Sequence, residues 1–134
     1  MAIQYSVAVN NAQLDNKEST IGTAPVMRLY SGAMPAFCVT ASSGTKLSED
    51  SLPSDWMAAA SAGAKAKSGT WTLNGIAAGT AGYFRIYDTA MANCHMQGTV
   101  TATGGGGDMT LDNAVIANTQ VITVNTFTIT SGNL

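Results

Sequence analysis

A chain of 134 residues fits one domain around one hydrophobic core, and 46% hydrophobic against 10% charged residues excludes a charge-rich disordered polymer. A net charge of −2, with the basic residues scattered as Lys17, Arg28, Lys46, Lys65, Lys67 and Arg85, provides no electrostatic footprint for a nucleic-acid backbone. There is no run of about 18 apolar residues and no basic-then-apolar leader at Met1-Ala2-Ile3-Gln4-Tyr5, so the sequence predicts neither a membrane span nor a signal peptide, and a protein made and kept in the cytosol.

Residues 4–20 are the one good helix candidate. Val9, Ala12 and Leu14 form a thin apolar side among Asn10, Asn11, Gln13, Asp15, Asn16, Lys17 and Glu18, and Gly22 supplies the terminating glycine. So thin a stripe fits docking against a neighbouring subunit as well as docking against the chain's own core. Residues 1–24 are therefore expected as an N-terminal helical arm, and residues 25–134 as the body of a single domain.

From Pro25 the pattern changes to period two punctuated by turns. Residues 26–30 alternate around Arg28, and Ser31-Gly32-Ala33-Met34-Pro35 reads as a turn. Further strands are predicted at 37–40, 45–48, 69–73, 83–88, 94–101, 109–111 with 115–116, and 121–130. Residues 52–61 form either a short helix opening at Pro53 or an extended connector. In residues 83–87, Phe84 and Ile86 share one side and Tyr83, Arg85 and Tyr87 the other. In the last strand Ile122 and Val124 are in phase, Phe127 and Ile129 are in phase, and the slip between the pairs predicts a β-bulge. Short strands joined by Gly-rich connectors, without crossover helices, predict an all-β fold: a β-sandwich or jelly-roll-like barrel with a short N-terminal helix or arm.

Reactive side chains are few. His95 is the only histidine, and its neighbour Cys94 points to the opposite face of a strand, so the two do not share a site. Cys38 and Cys94 are the only cysteines, without metal-ligand spacing; they read as two thiols acting as small apolar side chains, or as cross-strand neighbours that oxidation staples together. Thr103-Gly104-Gly105-Gly106-Gly107-Asp108 lacks the Lys-Ser or Lys-Thr of a phosphate loop and reads as a mobile hairpin connection, or as backbone that another chain approaches closely. Asp88, Asp108, Asp112 and Asn113 match no calcium-loop spacing and are expected in turns. Trp56, Trp71, Tyr30, Tyr83 and Tyr87 are either core residues or a platform for stacking sugars. No catalytic, cofactor-binding or metal-ligating residue is predicted, and the chain is not expected to be an enzyme. Its sparse charge fits either a surface largely covered by other chains or one that Ser, Thr and Asn keep soluble alone.

Four stretches carry a resemblance: Leu29-Tyr30-Ser31-Gly32-Ala33-Met34-Pro35; residues 52–60 with Ser68-Gly69-Thr70-Trp71; Gly79-Thr80-Ala81-Gly82-Tyr83-Phe84-Arg85-Ile86-Tyr87-Asp88; and residues 94–113 around the glycine run. They resemble small structural proteins encoded in the head and tail gene clusters of tailed bacteriophages and prophages, over most of the chain from about residue 10. The resemblance implies a virion component made in the host cytoplasm, similar in kind to capsid decoration or cement proteins. Its expected partners are the major capsid protein and copies of itself, as a trimer. A tail or baseplate component and a receptor- or glycan-binding module are the alternatives.

Overall fold

A computed structural model describes residues 3–131. The helix α1 (Val7–Ile21) starts three residues later than expected because Ser6 acts as its N-cap, the hydroxyl oxygen accepting from Val9 N at 3.2 Å. Gly22 ends it at φ 99°, a conformation that favours glycine, and its N–H donates to Glu18 O. The helix buries Asn10, Leu14 and Ile21; Val9 and Ala12 are exposed, so the expected apolar stripe is reduced to Leu14.

Polar contacts hold α1 on the body instead. Asn10 Oδ1 accepts from Ser131 Oγ, Asn11 Oδ1 from Gly63 N, and Asp15 Oδ1 from both Ala60 N and Lys65 Nζ. Lys65 is 1% exposed, yet its ammonium meets three acceptors: Asp15 Oδ1 at 2.7 Å, Glu18 Oε2 at 2.7 Å and Ala58 O at 2.8 Å. A buried ammonium is tolerated when each of its three donors is matched in this way.

Among the described residues nine strands follow: β1 (Val26–Ser31), β2 (Lys46–Ser51), β3 (Ala64–Ala66), β4 (Thr72–Asn74), β5 (Gly79–Tyr87), β6 (Cys94–Ala102), β7 (Met109–Leu111), β8 (Val115–Ile116) and β9 (Val121–Thr130). The fold is thus mostly β with one N-terminal helix. The strands run in the order β2-β1-β5-β6-β7-β9-β3, with β4 also on β9 and β8 on β5. All pairs are antiparallel except β6 and β7, which makes the sheet mixed. One end of this path returns to the end of β4, the strand that hangs on β9: Ser48 of β2 bridges to Gly75, Ile76 N donates to Leu47 O, and Asn74 N donates to Asp50 Oδ2. At the other end, β3 is flanked by residues 56–61 through bonds such as Ala58 N to Ala66 O and Ser61 N to Ala64 O.

The expected bulge in the last strand is present. Thr110 pairs with Thr126 but Leu111 pairs with Val124, so Asn125 is the extra residue, and Ile122, Val124 and Phe127 all face inward. The core gathers around Trp71, which lies 6.0 Å from Trp56 and 5.5 Å from Phe127 between ring centroids. Phe84 of β5 meets Phe127 of β9 edge-on at 5.4 Å, although two strands separate them in the sheet order.

Three expectations are corrected. Residues 37–40 form a turn closed by Thr40 N to Phe37 O, since the segment crosses the face of the sheet and pairs with no strand. The strand expected at 69–73 is shifted to β4 at Thr72–Asn74, while residues 52–61 take the connector alternative and form no helix. The glycine run is not a hairpin: it joins the parallel strands β6 and β7, folding back within six residues by placing Gly104 and Gly106 at φ 90° and 81°. It is tied down by Asp108, whose Oδ2 accepts from Thr99 N and Thr99 Oγ1.

Candidate functional site

Period-two alternation places Met27, Leu29, Phe84 and Ile86 in the core and sends their neighbours to the opposite face of the sheet. Three registered rows result. Tyr30 pairs with Tyr83 and Tyr83 with Thr99; Arg28 pairs with Glu49 and Arg85, and Arg85 with Gln97; Val26 pairs with Tyr87, and Tyr87 with Cys94. Side chains in these rows stack: Tyr30 on Tyr83 at 5.1 Å between centroids, and Arg28 Cζ over the Tyr87 ring at 4.3 Å.

Residues 32–45, here termed the strap, cross this face and cover it. Tyr83 Oη donates to Ser43 O at 2.6 Å and accepts from Ser43 N at 2.9 Å. Gln97 Nε2 donates to Pro35 O at 2.7 Å, and Arg85 Nη2 to Phe37 O at 3.3 Å. Beneath the strap a cleft of about 480 Å³ is lined by Cys38, Ser42, Arg85, Tyr87, Asn93 and Cys94. Cys94 Sγ donates to Cys38 Sγ at 3.1 Å, and both thiols are free and half-buried.

The electrostatics of this face follow from burial and charge. Burial works against the Arg28 charge, but hydrogen bonds donated to Tyr30 and Glu49 outweigh it and leave the guanidinium above its usual value. Burial likewise opposes the Arg85 charge, and Tyr87 and Cys94 more than offset it. Arg85 is 2% exposed, and among the described residues no carboxylate pairs with it. The Cys94 thiol is pushed up to about 12 by burial and by the neighbouring Cys38 sulfur.

The other candidate residues are dispersed. His95 is the bulged residue of β6, since Tyr87 pairs with Cys94 while Ile86 pairs with Met96. It lines a separate cleft of about 490 Å³ with Asn16, Lys17 and Thr20 of α1, its Nε2 3.8 Å from Asp88 Oδ2. Cys94 and His95 therefore do serve different sites. Asp88 accepts from Ala92 N and Asn93 Nδ2, and Asn113 Oδ1 from Val115 N, each within its own turn, whereas Asp112 Oδ1 accepts from Asn113 N and also from Thr123 N of β9. Among the described residues no three His, Cys, Asp or Glu side chains cluster to hold a metal ion. Trp56 and Trp71 lie in the core, and Tyr30, Tyr83 and Tyr87 are buried under the strap, so the five do not form an exposed platform.

Sequence reasoning missed the Lys65, Asp15 and Glu18 cluster, and the strap. Neither has a local signature: each joins segments far apart in the chain through side chains and single backbone groups. Among the described residues no helix is long and apolar enough to cross a membrane. Comparison of the chain with protein-family models, with curated proteins and with solved structures finds no match.

Proposed function

We propose that this chain is a structural protein of a tailed-bacteriophage virion, specifically a decoration or cement protein that binds and stabilises the head shell and carries no reaction centre of its own. The body in this reading is a β-sandwich or jelly-roll-like barrel, supported by the contact of Phe84 with Phe127 and by the return of β2 onto residues 74–76. The partners are the major capsid protein and two further copies of the chain.

The observation that carries the reading is where apolar surface lies in a chain with so little charge. Ile3, Tyr5, Val7 and Val9 are 71%, 43%, 49% and 43% exposed at the N-terminal end, and Phe37 and Val39 of the strap are 68% and 94% exposed. Exposed apolar groups concentrated in this way mark surfaces that another chain covers. The four stretches that resemble phage head and tail proteins give the setting. A contact made once per capsomer needs little affinity per copy, because valency multiplies it.

Cryo-electron microscopy of the particle encoded with this gene tests the proposal. Density for the chain at symmetry axes of the shell, at a copy number matching the capsomers, is the expected result. Density along the tail alone, or a particle lacking the chain, overturns the head assignment. The burial of both indoles and all three platform tyrosines supports this reading over a glycan-binding module, and glycan-array binding lost on Trp56→Ala or Trp71→Ala would reverse that order.

A further inference from the structure

We propose that Cys38 and Cys94 are a reversible thiol–disulfide pair, oxidised by a small disulfide of the glutathione class, whose closure fastens the strap to the start of β6. The inference goes beyond the structural role proposed above and does not depend on it.

The two sulfurs lie 3.1 Å apart and must approach by about 1 Å to reach bonding distance. Cys94 is fixed on β6, whereas Cys38 sits in a turn closed by one backbone hydrogen bond, so the turn supplies the movement. Both sulfurs border the open cleft beneath the strap, which admits a small reagent. Arg85, buried in the same cleft without a carboxylate, provides the positive charge that favours a thiolate and attracts an anionic peptide disulfide.

The exchange balances as two steps. Cys38, as thiolate, attacks one sulfur of the oxidant; its proton passes to solvent, a Cys38 mixed disulfide forms and one small-thiol thiolate leaves. Cys94 then loses its proton and attacks the Cys38 sulfur, forming the Cys38–Cys94 bond and expelling the second small thiol. Two protein thiols are oxidised and one disulfide is reduced to two thiols. The order follows from the environment of Cys94, which donates the S–H···S hydrogen bond and ionises reluctantly because of burial and of Cys38 itself. Capping Cys38 as a mixed disulfide takes away the contribution of Cys38 and readies Cys94 for the second step.

The test incubates the intact chain in glutathione buffers of increasing oxidised fraction, then counts thiols and analyses unreduced proteolytic fragments by mass. A fragment joining Cys38 to Cys94, lighter by two hydrogens and lost on reduction, is expected. Closing the loop of residues 38–94 is also expected to raise the thermal midpoint by about 10 °C. Two titratable thiols in a folded chain at the oxidising limit, or stable glutathione adducts without the joined fragment, overturn the pairing. An unchanged midpoint after the bond has formed overturns the fastening. Cys94→Ser should stop at a single adduct on Cys38, and Cys38→Ser should resist modification; equal adduct formation in the two variants overturns the order.

Discussion

Lys65 Nζ and Asp15 Oδ1 stand 2.7 Å apart across fifty positions of sequence, joining β3 to α1. Glu18 completes the clamp at 2.7 Å from the same nitrogen. Lys65→Ala is expected to cost about 3 kcal/mol, since it empties a buried site and leaves two carboxylates facing each other. Lys65→Met, which keeps the stem, should cost less. Chemical denaturation of the two variants checks the order, and equal losses would show that packing of the stem contributes nothing.

The same clamp sets a pH window for α1. The Lys65 ammonium and the Ala60 N–H hold the Asp15 carboxyl below its ordinary value of 3.8, so its stabilisation is in place above that pH and is lost as pH falls through the depressed folded-state value. Burial opposes the Lys65 charge, but Asp15 and Glu18 outweigh it and raise it above its ordinary 10.5; that contribution is in place below this pH and is lost as pH rises through the raised value. The protection factors of the α1 amides, corrected for intrinsic exchange, should therefore fall on both the acid and the strongly alkaline side. Protection that is flat across the acid limb would show that Asp15 does not hold the helix.

Tyr83→Phe removes the one hydroxyl that both donates to and accepts from Ser43. The expected loss is about 1 kcal/mol, and exchange at the strap amides should rise while the core strands keep their protection. A variant in which strap and core loosen together would contradict the assignment of the strap as a separately held segment.

Asn125 separates length from chemistry in β9. Asn125→Ala gives up an exposed hydrogen bond to Thr103 Oγ1 and should cost about 0.5 kcal/mol. Deleting the residue removes the bulge and turns either Ile122 and Val124 or Phe127 and Ile129 toward solvent, with an expected loss of more than about 3 kcal/mol. Thermal unfolding of the two chains reads this difference directly.

Val7→Asp has effects of opposite sign on folding and on assembly. Val7 opens α1, whose first turn carries no acidic residue, so an aspartate there should stabilise the helix by about 0.5 kcal/mol. As Val7 is 49% exposed, the same charge should weaken binding to capsid shells under the proposed head role. Co-sedimentation with shells of the particle encoded with this gene tests this, and undiminished binding would take the N-terminal end out of the proposed interface.

The parts of this structure that were readable in advance are those with local periodicity. The phase slip between Val124 and Phe127 marked the bulge, and the alternation of Tyr83, Arg85 and Tyr87 with Phe84 and Ile86 separated the two faces of β5. Residues 37–40 misled because Phe37, Cys38 and Val39 suit a strand, and only the tertiary setting denies them a partner. Helix α1 misled in a related way: its docking relies on Asn10, Asn11, Asp15 and Glu18, which a search for apolar stripes reads as solvent-facing. The Cys38–Cys94 approach depends on how the strap crosses the sheet, which neither residue signals alone.

The return of β2 onto residues 74–76, together with residues 56–61 lying along β3, engages part of the backbone at both ends of the strand path. An incoming polypeptide therefore finds only interrupted ladders at those two ends. Edges broken up in this way are poor templates for strand addition, which lets copies of the chain crowd together with less risk of zipping into fibres.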